Sequence, residues 1–436
     1  MFEMLKGLIL GLVFGPILLQ GVSAGCVLNL DSPRPQVVNN FGSKYLVTES
    51  KPILQREAGE SVYLFCSNGF NLHQNYHGSQ TFNNHQIKLT CNYDDSWNFL
   101  NTEINSNQGL PNINCLGNQV SEMYESRSPM KDCAKHMSLV VGQSFGDLGS
   151  VKSVAMCYDI IQQQLKYVSY TAYPSKLKVI EQARTQVGQL NRLGLDIYVA
   201  YTRSLFREVS ALDIAEKFRK DTQLNMLFGA ETYEYTGLIQ DEAFASDLLN
   251  FKEMLGIVWL RGLRTGNWRH LLNAMHMASL AAKYDVNVGV SGIVTLPTLQ
   301  SCNETRRLTI ELDSGDTLPV PAHIWAHIRA VEPTVNGTDE FVVIAHNSPF
   351  FTSSDRDGLC RSMCEEVDWL KNSMFFKLRH YPAYGLVQCC HVLDVENKLD
   401  NFPKNIVQST FIEPVQISEE PIEESIAIPV YNSFEE

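Results

Sequence analysis

Apolar and polar residues alternate in short runs through the first third of the chain. Ser61-Val62-Tyr63-Leu64-Phe65-Cys66 and Gln86-Ile87-Lys88-Leu89-Thr90-Cys91 show the period of two, or the short apolar run, that buries a strand against a core. Residues 137–141 and 165–170 predict further strands, with polar, Asn-rich and Gly-rich connections between them. Residues 25–160 therefore predict a β-rich module. The rhythm then becomes mixed. Residues 268–284 predict a helix with Leu271, Leu272, Met275, Leu280 and Ala281 near one face and Asn267 placed to cap its start. Residues 355–372 predict a second helix, striped by Leu359, Cys360, Met363, Cys364, Val367 and Leu370. Strands are predicted at 286–293, 308–312, 341–345 and 386–392. Residues 161–404 thus read as an α+β domain.

The two ends differ from both. Lys6 precedes an uncharged apolar run, Gly7 to Leu19, followed by the small residues Val22-Ser23-Ala24. This is the pattern of a secretory signal at residues 1–24, with Gly25 as the mature start. The run is shorter than the ~20 apolar residues that span a bilayer. The mature chain is expected to be extracellular, with no membrane association after signal cleavage. Beyond Lys404 there is no Lys or Arg, while Glu413, Glu419, Glu420, Glu423, Glu424, Glu435 and Glu436 accumulate among prolines. Residues 405–436 predict a disordered acidic tail.

An oxidising compartment makes the eleven cysteines bridge candidates first. Cys26, Cys66, Cys91, Cys115, Cys133 and Cys157 form one even group, and Cys360, Cys364, Cys389 and Cys390 another. Cys302 stands between them. Cys360-x-x-x-Cys364 with Cys389-Cys390-His391 superficially resembles a zinc set, but secretion favours disulfides, the two helix cysteines bridging to the vicinal pair on the last strand. Asn303 and Asn336 head glycosylation sequons, whereas Asn347 is followed by Ser348-Pro349 and does not. The formal charge of −13 argues against tight polyphosphate binding without excluding a local basic groove.

From Cys157 onward the order of landmarks resembles the secreted insect branch of the DNA/RNA non-specific endonucleases. The resemblance rests on Cys157-Tyr158-Asp159 with Tyr167-Val168-Ser169-Tyr170-Thr171, on Gly266-Asn267-Trp268 before a helix, and on Val286 to Ile293. It continues through Leu318-Pro319-Val320-Pro321 with Trp325, and through Cys360 and Cys364 before Trp369 with Cys389-Cys390 before Val392. The Cys-rich first part resembles the module upstream in that branch. The resemblance implies a ββα-metal nuclease core with a mainly antiparallel sheet and packed helices. It also implies phosphodiester hydrolysis by a histidine base and one divalent ion, usually Mg²⁺, held through an asparagine.

The same alignment implies that this chemistry is absent. The base motif Arg-Gly-His falls on Thr236-Gly237-Leu238, and no histidine occurs between His136 and His270. The metal-binding asparagine falls on Arg264, a permanent cation. A second asparagine falls on Leu255, a glutamate on Leu272, and an arginine on His276. Glu231, Glu234, Asp241 and Glu242 are the nearby carboxylates that a substitute base would come from, given a raised pKa. The expectation is a nuclease homologue without hydrolysis and without a bound cofactor, at most binding DNA, RNA or another polyanion weakly. Two alternatives stand beside it, an active metal-dependent endonuclease using other residues and a glycoprotein that engages protein partners.

Three smaller constellations remain. Arg261, Arg264 and Arg269, with Trp259 and Trp268 near them, form a basic-aromatic cluster suited to phosphates and stacked bases. His323 and His327 lie on a predicted strand, where four residues span ~13 Å, too far for one ion. No Gly-x-Ser-x-Gly elbow supports a serine hydrolase.

Overall fold

The computed structural model describes residues 25–38, 53–74, 78–99, 102–104, 112–118, 121–126, 129–144, 150–172, 195–198, 206–207, 209–227, 232–245, 247–297, 305–332, 338, 340–350 and 359–404. The signal segment, Glu231, Cys302, Asn303, Asn336 and the acidic tail lie outside the described residues. Among the described residues no helix is long and apolar enough to cross a membrane.

Residues 26–115 build two five-stranded sheets. One contains Ile53–Arg56, Cys26–Leu30, Asn112–Cys115, Phe70–Gln74 and Gly78–Phe82 in that order, and the other contains Gln36–Val38, Ser61–Phe65, Gln86–Cys91, Trp97–Phe99 and Thr102–Ile104. The alternation in the sequence explains the packing. Leu28, Leu30, Leu54, Leu64, Leu72, Ile87, Leu89 and Trp97 come from both sheets into one buried cluster. Cys26–Cys91 and Cys66–Cys115 staple the sheets across that cluster, at Cα separations of 5.6 and 5.4 Å. Closing loops of this length removes about 4 kcal/mol of unfolded-chain entropy per bridge.

The remainder is organised by a nine-stranded antiparallel sheet. Its strands are β1 (Glu122–Ser126), β2 (Met137–Ser144), β3 (Ser150–Asp159), β4 (Gln164–Thr171), β5 (Leu195–Tyr198), β8 (Tyr284–Ser291), β9 (His323–Ala330), β10 (Glu340–His346) and β11 (Val387–Cys390). The order is β5-β1-β2-β3-β4-β8-β9-β10-β11. Between β5 and β8 along the chain, β6 (Tyr233–Gly237) and β7 (Gly256–Leu260) form a separate antiparallel ribbon. Two longer helices, α1 (Ala211–Lys220) and α2 (Arg269–Ala278), accompany it. The class is α+β. The boundary expected at residue 160 falls in the β3–β4 turn, inside this sheet; pairing instead breaks between Cys115 and Glu122.

The sheet is buried on both faces. The larger cluster takes Leu139, Met156, Val288, Ile324, Val343 and Cys389, together with residues of the ribbon and helices. The smaller takes Cys157, Tyr167, Trp325, Val342, Ile344 and Cys390, covered by Val395, Leu399 and Phe402. Gly289 sits opposite Trp325, where a Cβ would lie 2.3 Å from the indole. Only glycine lets that ring lie flat across the neighbouring strand.

Two predicted helices are corrected. Within 355–372 the described residues show irregular chain through Val367 and a helix only at Asp368–Lys371. The stripe Cys360, Met363, Cys364, Val367, Leu370 is buried as expected, but by a strap. The disulfides explain why. Cys389 and Cys390 are neighbours on β11 and point to opposite faces of the sheet. Cys364 bonds to Cys389 in the larger cluster and Cys360 to Cys390 in the smaller. A helix would put residues 360 and 364 on the same face, so it cannot make both bridges. β11 ends at Cys390, and Val392 opens a short helix instead of ending a strand.

The helix predicted at 268–284 ends at Ala278 and has no cap at Asn267. A helical run already begins at Arg261 and passes through a wide turn at Arg264–Trp268. Asn267 is fully buried, and its amide donates to the Leu378 and Gly385 carbonyls at 2.9 and 2.5 Å. Leu271, Leu272 and Met275 are buried, while Leu280 lies past the helix and is exposed.

Candidate functional site: the β6–β7 ribbon and helix α2

The ribbon pairs Tyr233 with Leu260 and Gly237 with Gly256, and beyond the last pair the Leu238 amide donates to the Leu255 carbonyl at 2.7 Å. Thr236, Gly237, Leu238 and Leu255 therefore share one end of the ribbon. From the other end, the turn Arg261–Trp268 leads straight into α2. Gly266 in that turn is required, because a Cβ would lie 2.7 Å from the Tyr384 carbonyl oxygen.

This arrangement brings the sequence-distant positions together. Leu238, Leu255 and Leu272 are 1%, 2% and 7% exposed and belong to one hydrophobic cluster. Arg264 reaches back to β6, where its Nε donates to Glu234 Oε1 at 2.5 Å and its Nη1 to Gln240 Oε1 at 3.0 Å. His276 Nε2 lies 3.1 Å from Asp241 Oδ1, whose side chain is wholly buried. That same oxygen accepts the Ala243 amide at 3.0 Å, which fixes the carboxylate at the start of a short turn. Tyr170 is buried nearby, and burial followed by the Asp241 charge pushes its phenol well above the ordinary range.

Of the carboxylates considered as substitute bases, Glu234 is held in the ion pair with Arg264, and Asp241 Oδ1 lies 3.1 Å from His276 Nε2 without a hydrogen bond between them. Glu242 is exposed.

The basic-aromatic cluster divides differently from expectation. Trp259 and Trp268 are 0% and 2% exposed and pack edge to face at 5.3 Å, so neither offers a stacking surface. Trp259 Nε1 also donates to the Gly237 carbonyl at 3.1 Å. Arg261 and Arg269 are exposed, and Arg264 is neutralised. The aromatics that do face solvent beside this turn are Tyr381 and Tyr384, 58% and 42% exposed. Tyr384 packs on Gly266, and its ring centroid lies 6.3 Å from that of His270. Burial, and then the Arg269 charge, lower the His270 pKa. Sequence reasoning missed these tyrosines because they lie more than a hundred positions along the chain.

Asn347, noticed in the sequence only as a failed sequon, is the polar joint of the site. It is fully buried. Its Oδ1 accepts the Leu260 amide at 2.6 Å, and its Nδ2 donates to the Val258 and Pro321 carbonyls at 2.8 and 2.9 Å. It thereby fixes β7 to the chain entering β9. Nothing in one sequence marks it for that role. His323 and His327 lie on β9 as expected and take different neighbours: the rings of His323 and His346 are 5.0 Å apart, and His327 Nε2 is 2.6 Å from Glu340.

No family model matches the chain, and no curated protein does. Among solved structures, one of the EndoG/EndoGI complex, described as showing the mechanism of EndoG inhibition, is 12% identical, with a TM-score of 0.26. It covers 45% of this chain and 72% of its own. A likeness at that level carries no functional argument.

Proposed function

We propose that this chain is a secreted, glycosylated protein on a ββα-metal nuclease-type scaffold that does not hydrolyse phosphodiesters and keeps at most a weak surface for nucleic acid or another polyanion. The observation that carries this reading is the convergence around the ribbon and α2. The five positions that the resemblance assigns to one reacting centre carry three buried leucines, an ion-paired guanidinium and an imidazole 3.1 Å from a buried carboxylate, which supports the reading. The donor set does not fit Mg²⁺. Hard cations need several oxygen ligands, and the ligand position carries a cation already compensated by Glu234. Water activation and charge stabilisation each contribute orders of magnitude in rate, and both lack a group here. The five disulfides support the extracellular assignment.

The binding surface is Arg261 and Arg269 beside Tyr381 and Tyr384, which pairs exposed cations with exposed rings. With two arginines displacing counterions, its affinity should fall about tenfold between 50 and 200 mM salt. One observation favours a second reading: Asp241 Oδ1 lies 3.1 Å from His276 Nε2, which sets a carboxylate beside an imidazole of this region that could serve as a general base.

Purified mature protein incubated with supercoiled plasmid or RNA, in Mg²⁺ or Mn²⁺, tests the choice. The expected result is no cleavage above that of His276→Ala. Turnover that His276→Ala abolishes would establish the second reading. Retention on DNA or heparin resin at low salt should disappear in Arg261→Ala/Arg269→Ala, and unchanged retention would sink the surface assignment.

A further inference from the structure

A cavity of about 390 Å³ lies between the ribbon, the end of β8 and the segment 318–321. This size is within the ~300–1,000 Å³ of ordinary small-molecule sites. Its walls mix apolar and polar groups in nearly equal measure, Met254, Ile257, Val290 and Leu318 facing the same space as Gln163, Gln164, Ser291 and Asn401. Arg207 is its only cationic side chain and Asp400 its only carboxylate among the described residues. The two are not paired: Asp400 Oδ2 accepts the Gly292 amide at 2.8 Å, and among the described residues no carboxylate lies within ion-pair distance of Arg207.

Arg207 is also held in place. Its amide donates to the Tyr158 hydroxyl at 3.2 Å, and its neighbour Phe206 packs edge-on against that ring at 5.0 Å. Its Nη1 and Nη2 each donate to one carbonyl, of Thr317 and Gln162, both at 3.3 Å. Nε is buried with no acceptor among the described residues. A guanidinium has five N–H groups; Nε–H is sealed from the cavity, so one hydrogen on each terminal nitrogen remains for a ligand. Two such hydrogens can take a carboxylate end-on.

We propose that this cavity binds a small monocarboxylate, with its head on Arg207 and its chain against Met254, Ile257 and Leu318. One cation without a carboxylate partner matches one negative charge, and Asp400 in the same cavity opposes a dianion. The site is separate from the Arg261/Arg269 surface and stands whether or not that surface binds polyanions.

Titration calorimetry on the full mature chain tests the site, using sodium decanoate below its micellar concentration, decanol and decyl phosphate. Decanoate should bind, with decanol and decyl phosphate at least about tenfold weaker. Arg207→Gln should weaken decanoate by about tenfold or more and leave decanol unchanged. Arg207→Lys should retain part of the affinity, having the charge without the fork. Leu318→Trp, which fills the cavity and keeps the arginine, should abolish decanoate binding and carries the test if Arg207→Gln does not fold. No decanoate binding, equal binding of decanol, tighter binding of decyl phosphate, or indifference to both Arg207→Gln and Leu318→Trp would each overturn the proposal.

Discussion

Arg264 and Arg207 both lie against the β6–β7 ribbon, and they differ in what surrounds the charge. Arg264 meets Glu234 and Gln240 and is used up in holding the turn before α2 to β6. Arg207 faces a cavity shared with Tyr235, the next residue of β6, and has carbonyl partners but, among the described residues, no carboxylate. Neighbours on a strand point to opposite faces, so one ribbon presents a satisfied cation on one side and an unsatisfied one on the other. The difference lies in the counter-charge. An arginine standing where a ligand-binding amide is expected looks like a new binding group until its partner is seen. An arginine with no motif around it looks structural until the partner proves missing.

The contrast is tested hardest at the leucines. Leu255→Ala should cost about 2–5 kcal/mol, read from chemical denaturation, because the cavity left in a packed cluster does not fully collapse. A loss under about 1 kcal/mol would mean the site is looser than its burial indicates. Introducing polar groups with Leu238→His/Arg264→Asn should destabilise the fold by about 3 kcal/mol and still yield no plasmid cleavage, since Leu255 and Leu272 remain.

The arginines themselves come next. Arg264→Ala should cost about 1–2 kcal/mol, a figure kept low because both partners retain some exposure, by leaving Glu234 without its counter-charge. Arg207→Gln should cost at most about 1 kcal/mol, since it breaks two long, exposed hydrogen bonds to carbonyls and no ion pair. Equal losses for the two would erase the distinction.

The last effect is pH-dependent and lies at the β3–β4 turn. Burial alone would raise the Asp159 pKa, but the Gln162 amide and Lys166 outweigh it and hold the carboxyl below its usual value, with His136 adding to them. Its contribution is therefore present above the unfolded carboxylate pKa and lost as pH falls through the lower folded value. Asp159→Asn should cost about 1 kcal/mol near neutrality, and the difference should vanish in acid. A constant difference across pH would assign the effect to turn geometry, through the Ile161 and Gln162 amides that Asp159 accepts.

Strands were legible wherever the period of two was clean. Ser61–Phe65 and Gln86–Cys91 match the expectation to the residue or within one, because a one-position slip would turn every apolar side chain to water. The 360–367 segment was not legible, because its apolar spacing suits a helix and only the opposite-facing Cys389 and Cys390 rule one out. Asn267 misled for a related reason. A helix cap is a local role, but this side chain is spent on carbonyls more than a hundred residues away.

Amino-acid order alone was enough for the alternating strands and the even cysteine groups, since each is a property of residue type and near-neighbour spacing. Folding settled which cysteine met which, which arginine found a carboxylate, and that Tyr381 and Tyr384 rather than Trp259 and Trp268 face solvent. Those outcomes depend on contacts between chain segments far apart in sequence, and on the burial such contacts create, which no local pattern encodes.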